Sequence, residues 1–447
     1  MFFLMTSFVL ASVFSSPQAP SPEPASAARL AAAIEQGRLA WQLSDPDEVA
    51  AVLGTPKADE TGRDGGMEVR SWTYGDTFRV TFLRQANSPG PFVLAEARDG
   101  SRRLRLAPGD RLVLRTPADL AKLRPFTGLQ NVDVSRLDLR GEGERLRDQA
   151  FDTRTLWPPA DRLPLGFDPA ALLHAGRNPG LGVRALHQGG IDGRGVTIGV
   201  IDQPLLPDHV EVAGRLEVVA ELDVAGSPPQ MHGPAVTSLA AGQTCGVAPG
   251  ARIRHVSMAM WKAQADNALY LEALERLLAL NGTGQERIRV VSISSGGFAK
   301  ARRADEWRAL LGRAEREGVL VITCDLEATG LNYGLLMPLP GGDRDKPEGY
   351  GPGSYSGGKS LLVPGDGRTF AHSERAGDYR YHPAGGMSWA APYLAGLAAL
   401  GFQVNPSLTP DRARAYLVKS ATPMPYGTVV NPAAFVEMCR QDPDRPR

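Results

Sequence analysis

From about Gly182 onward, short apolar runs alternate with amphipathic stretches, which restricts the chain to strands interleaved with helices and so to a parallel sheet with crossover connections. The run Val196–Ile201 (VTIGVI) carries no charge and is mostly apolar, as a strand buried on both faces must be, and Asp202 ends it. Arg252–Met258, Ile288–Ile293 and Val319–Thr323 are further predicted strands. Asp266–Leu280 places Leu269, Ala273, Leu274, Leu277 and Leu280 at helical spacing, with Gly282 beyond as the stop, and Glu306–Arg316 is a second amphipathic helix. Two more helices are predicted: Ala235–Ala241, opened by a His-Gly-Pro turn, and Trp389–Leu400, opened by Ser388.

At 447 residues, 43% hydrophobic and 22% charged, the chain holds two or three domains and a sizeable core. Residues 28–150 read as a small α+β accessory or pro-domain. It has a short helix from Ala28 to about Ser44 closed by Pro46, a hairpin across Glu68–Leu83 around Gly75-Asp76, and continuing strands at Phe92–Ala97 and Arg103–Leu114. Leu120–Leu139 resembles one turn of a leucine-rich repeat, but a single turn buries no core, and a helix and strand packing on the next domain is the better reading. Pro158, Pro159, Pro164, Pro169 and Pro179 mark 151–181 as a linker or arm; 182–437 is the main domain and 438–447 a tail. The opening run MFFLMTSFVLASVF and the Ser/Pro/Ala stretch after it make 1–27 a signal peptide and linker, although no lysine or arginine precedes the run. The expectation is an exported protein whose mature chain has no membrane span.

Asp202, His232 and Ser388, separated by 30 and 156 residues, supply a carboxylate, an imidazole and a hydroxyl in that order. A serine hydroxyl is a poor nucleophile at neutral pH until a histidine takes its proton and a carboxylate fixes that histidine's tautomer. An α/β-hydrolase would need Gly-x-Ser-x-Gly, whereas Gly386-Met-Ser388-Trp-Ala390 ends in alanine and the histidine precedes the serine.

These residues resemble the subtilase family, the subtilisin-like serine peptidases, over roughly 182–435. The family's serine motif, Gly-Thr-Ser-Met-Ala-x-Pro, is matched by Gly386-Met-Ser388-Trp-Ala390-Ala-Pro392, and its histidine motif by His232-Gly233-Pro-Ala-Val236. Gly246-Val-Ala-Pro-Gly-Ala251 stands where the family has the same words. The resemblance implies a three-layer subtilisin-like α/β fold, catalytic Asp202, His232 and Ser388, and hydrolysis of peptide bonds through an acyl-enzyme. It also implies that Ser295, Gly296 and Gly297 pair with an extended peptide or protein substrate.

One departure matters. The family's oxyanion asparagine follows the strand that here reads Gly318-Val-Leu-Val-Ile322, and ungapped alignment puts Glu327 in its place. Loss of one such donor costs about 3 kcal/mol of transition-state stabilisation. Three substitutes are Asn332 a few residues on, a protonated Glu327, and the backbone amide of Ser388. Two functions therefore stand: a serine endopeptidase, and a binding or regulatory protein that keeps the fold but has lost the oxyanion hole.

The other signals exclude more than they assign. Lysine plus arginine and aspartate plus glutamate both total 49, so nothing steers the chain toward nucleic acid. Cys245, Cys324 and Cys439 are too few for a disulfide framework and lack zinc spacing, and Asp343, Asp345 and Glu348 read as a solvated loop; no metal or organic cofactor is implied. An intramolecular contact between the N-terminal and main domains is the one further partner expected.

Overall fold

Five strands form one parallel sheet in the order Leu216–Leu222, Arg252–Met258, Thr197–Asp202, Ile288–Ile293, Leu320–Thr323. Alternate side chains of these strands enter two different cores, as the two-residue period of a strand requires. Ile198, Val200, Val290, Leu320 and Ile322 pack with residues of the helices His232–Ala241 and Met387–Val404. Ile201, Val256, Val291, Ile293 and Val321 pack with the helices Ala268–Ala279 and Ala304–Arg316. The result is the expected three-layer α/β architecture. The Asp202 strand lies at the centre of the sheet, and Asp202, Ser294 and Cys324 all fall at or just beyond carboxyl ends, where open α/β sheets place their ligand sites.

This computed structural model describes residues 26–444 apart from 37, 65–66, 86–90, 101, 105–110, 124–127, 263–265, 282–286, 327–329 and 359–360. The signal-peptide reading, Gly282 and Glu327 thus lie outside the described residues, save for the last two positions of 1–27.

Two compact units meet in sequence between Leu112 and Val113. In the first, the helices Ser26–Glu35 and Pro46–Leu53 cover an antiparallel meander running from Ala58 to Leu104, around Leu30, Val49, Trp72, Val80, Phe82 and Leu94. The hairpin is as expected, pairing Met67–Tyr74 with Phe78–Gln85. Pro46, expected to end a helix, begins one: Asp45 caps it by accepting from the Glu48 amide, Glu48 reaches back to the Asp45 amide, and Pro46 stands at the first turn. The edge strand Ala58–Asp64 escaped sequence reading because ADETGRD has almost no apolar residue; edge strands carry charge for that reason.

The second unit begins earlier than the expected main domain. Phe151–Asp152, placed by sequence in a linker, is a strand against Tyr379–His382, and Pro169–Gly176 is a helix with Asp168 as its cap. Residues 113–181 therefore belong with the second unit, because main-chain pairing and a capped helix hold what proline spacing alone suggested was an arm. No leucine-rich repeat forms at 120–139; the described part is a 3-10 turn at Pro117–Lys122 and a two-residue strand at Val132–Asp133.

Candidate active site

Asp202 is fully buried at the end of the central strand, and the Gln203 amide donates to its Oδ1 at 2.8 Å. His232 opens the neighbouring helix, three residues earlier than expected, and its Nδ1 lies 2.7 Å from the same oxygen. That bond fixes Nδ1 as the protonated nitrogen and leaves Nε2 with a lone pair, the tautomer a general base requires. Burial disfavours the imidazolium, but the charge of Asp202 and the hydrogen bond to it outweigh burial, so the His232 pKa is raised.

Ser388 is the second residue of the helix Met387–Val404, so its backbone N–H has no acceptor within the helix and stands among the N-terminal donors that favour anions. Its hydroxyl donates to the Ser294 carbonyl at 3.4 Å, while Ser294 Oγ donates to the Ser388 carbonyl at 2.8 Å. No hydrogen bond joins Ser388 to His232 here. The two approach through Trp389, whose ring centroid is 5.5 Å from that of His232. The structure thus pairs Asp202 with His232 and sets Ser388 on the adjoining helix with its hydroxyl toward the Ser294 carbonyl.

The loop leading into the Ser388 helix is held by a buried carboxylate. Asp366 Oδ1 accepts from the Gly385 amide at 2.7 Å, and Oδ2 accepts from the Ser354 amide and hydroxyl at 2.8 and 2.9 Å. Gly385 is required by close approach: a Cβ there would sit 2.3 Å from the Gly365 carbonyl oxygen and 2.4 Å from the Trp389 ring. Sequence reasoning missed Asp366 because a lone aspartate in Pro-Gly-Asp-Gly reads as a turn.

Across the strand ends, Ser295 accepts on its carbonyl from the Cys324 amide at 2.8 Å, and Gly296 and Gly297 are exposed, the Gly297 carbonyl accepting from the Lys300 amide at 3.1 Å. The Cys324 thiol is pushed up to about 12, mainly by burial and further by the charge of Asp202. Asn332 is placed elsewhere: its Nδ2 donates to the Gly358 carbonyl at 3.0 Å, beside the strand Tyr333–Pro338 of a second sheet. His209 is buried with Nε2 at 2.8 Å from the Asp378 carbonyl and Nδ1 accepting from the Glu211 amide. Among the described residues no cluster of three or more His, Cys, Asp or Glu could hold a metal ion.

A buried strand-end carboxylate paired to a helix-start histidine, on a parallel sheet between two helix layers, defines the class of this unit. Residues 193–325 match the sequence model of the Subtilase family, so the subtilase resemblance is shown over that stretch. The matched stretch contains Asp202, His232 and Ser295–Gly297, while Ser388 lies beyond it. Among solved structures, the chain is similar to one described as the structural basis of subtilase cytotoxin SubAB assembly, at 18% identity and TM-score 0.47, covering 59% of this chain and 95% of that one. The A-subunit of the AB5 toxin from E. coli gives 18%, 0.47, 59% and 98%, and a cold adapted subtilisin-like serine proteinase gives 22%, 0.40, 53% and 89%.

Proposed function

We propose that the second unit is a serine endopeptidase that cleaves peptide bonds through Asp202, His232 and Ser388. The observation that carries the reading is the 2.7 Å bond from His232 Nδ1 to the buried Asp202, with Ser388 on the helix that packs against the His232 helix. On binding of an extended peptide along Ser295–Gly297, Ser388 Oγ leaves the Ser294 carbonyl, gives its proton to His232 Nε2 and attacks the scissile carbonyl. Asp202 stabilises the imidazolium so formed, which then protonates the leaving amine; water hydrolyses the acyl-enzyme by the same route. The Ser388 backbone N–H supplies one oxyanion donor from the helix N-terminus. The opening apolar run supports export as part of the same proposal.

A second reading, a binding or regulatory protein, rests on one observation: Asn332, the side-chain oxyanion candidate, donates from Nδ2 to the Gly358 carbonyl at 3.0 Å. Fluorophosphonate labelling decides between them. Labelling of the wild type and not of Ser388→Ala, with acylation mapped to Ser388 by mass spectrometry, supports the peptidase; folded wild type that resists labelling supports the alternative.

A further inference from the structure

The residue after the nucleophile is a tryptophan where the subtilase motif has methionine, and it faces the histidine. The Trp389 ring centroid is 5.5 Å from His232 at an interplanar angle of 55°, and Trp389 is itself buried. Behind it, Phe370 packs edge-on at 5.2 Å and His382 tilts at 6.0 Å, so the indole is wedged between the His232 helix and the Arg368–Ala371 and Tyr379–His382 hairpin. A Cβ at Gly385 would strike the indole at 2.4 Å, so that glycine exists at the only size the ring tolerates. The Trp389 Nε1 finds no hydrogen-bond partner. Packing alone therefore holds the ring, which meets the His232 imidazole at a 55° tilt and not through its N–H.

We propose that Trp389 is a positioning residue for His232: its indole backs the imidazole against Asp202 and, through its π-face, favours the imidazolium that forms when Ser388 loses its proton. A cation within about 6 Å of an indole centroid is attracted by the ring quadrupole. The groups facing this pair are few. Asp202 lies at the end of the central strand and is the charge acting on His232. His382, on the hairpin strand behind the indole, is pushed down to about 3 by burial and the nearby Arg380, so it stays neutral. The Cys324 thiol, pushed up to about 12 by burial, stays protonated. The role as support for a base rests on the peptidase reading; the effect on titration does not.

The test is the His232 titration itself, read by NMR on full-length protein with 13C-labelled histidine, its signal assigned among the seven histidines by loss in His232→Gln. Trp389→Leu keeps an apolar side chain and removes the π-face; the expected result is a fall in the His232 pKa of about half to one unit, with Trp389→Phe falling by less than half as much. An unchanged value in Trp389→Leu overturns the proposal, because an apolar filler would give that. A rise also overturns it, because it would mean that the indole served only to exclude water. Should Trp389→Leu fail to fold, the wild-type tryptophan fluorescence carries the test. The component lost in Trp389→Phe must titrate with His232 and stop titrating in His232→Gln, and a component indifferent to pH overturns the proposal. Neither readout needs turnover, so a pKa shift in protein that resists fluorophosphonate leaves this contact standing while the peptidase reading falls.

Discussion

Gly233→Ala tests how closely the His232 helix is docked on the Asp202 turn. A Cβ at 233 would lie 2.2 Å from the Gln203 carbonyl oxygen and 3.0 Å from the Pro204 carbonyl oxygen, against a practical limit of 3.0 Å for such contacts. Both obstacles are backbone, so no side chain can swing away, and the two segments must part by about 0.8 Å. Gln203 follows Asp202 and Gly233 follows His232, so the parting acts on the very pair joined at 2.7 Å. Opened fully along that line, the bond stretches to about 3.5 Å, where it is no longer a useful hydrogen bond. Overpacking of this kind costs about 1–3 kcal/mol of stability, and a misplacement near 1 Å costs about 10²-fold in rate. Fluorophosphonate labelling rates and urea unfolding give the two numbers on one preparation. The NMR titration gives a third: with Asp202 drawn back and burial unchanged, the His232 pKa falls. A variant that labels within twofold of wild type, unfolds at the same urea concentration and keeps its His232 pKa would refute the reasoning.

Other predictions follow from the same geometry. Because the His232 pKa is raised above 6.5, its neutral form and the labelling rate should grow with pH through a midpoint above 6.5, and Asp202→Asn should lower that midpoint along with the rate. The sign for stability is opposite: the charged pair's contribution is complete below the unfolded value near 6.5 and is lost as pH rises through the folded value, which urea titrations across that window would register. His255, fully buried and pushed down to about 4 by burial, behaves the other way, since the unfolded chain takes its proton first as pH falls below 6.5. About 3 kcal/mol should be lost between those values, and His255→Gln should flatten the acid limb of the stability profile. Asp366→Ala strands three part-buried donors and should cost about 1–3 kcal/mol while slowing labelling, because the Gly385 amide ahead of the Ser388 helix loses its anchor.

What the sequence discloses and what it hides separate along physical lines. Uncharged β-branched runs such as Val196–Ile201 announce strands buried on both faces, and Arg252–Met258 and Ile288–Ile293 fall where predicted, because an open parallel sheet admits little else at its centre. Gly233, beside His232, and Gly385 are sites of close backbone approach, whereas Gly386 of the serine motif meets open space and is required by its left-handed φ of 67°. Long-range polar partners leave no such trace: Asp366 reaches Gly385 across 19 positions, and the strand Phe151–Asp152 finds Tyr381 more than 200 residues away. Asn332 is the complementary case: a strand of a second sheet begins at the next residue, and its Nδ2 donates to the Gly358 carbonyl. Local pattern therefore specifies where a carboxylate and an imidazole must sit on this scaffold, while the donors that would stabilise a transition state depend on loop geometry that periodicity does not encode. For that reason, on the peptidase proposal, the Ser388 backbone N–H, fixed by the helix start and not by a loop, is the donor on which activity would depend most, and any substitution that unwinds Met387–Ser388 should abolish labelling even with all three side chains intact.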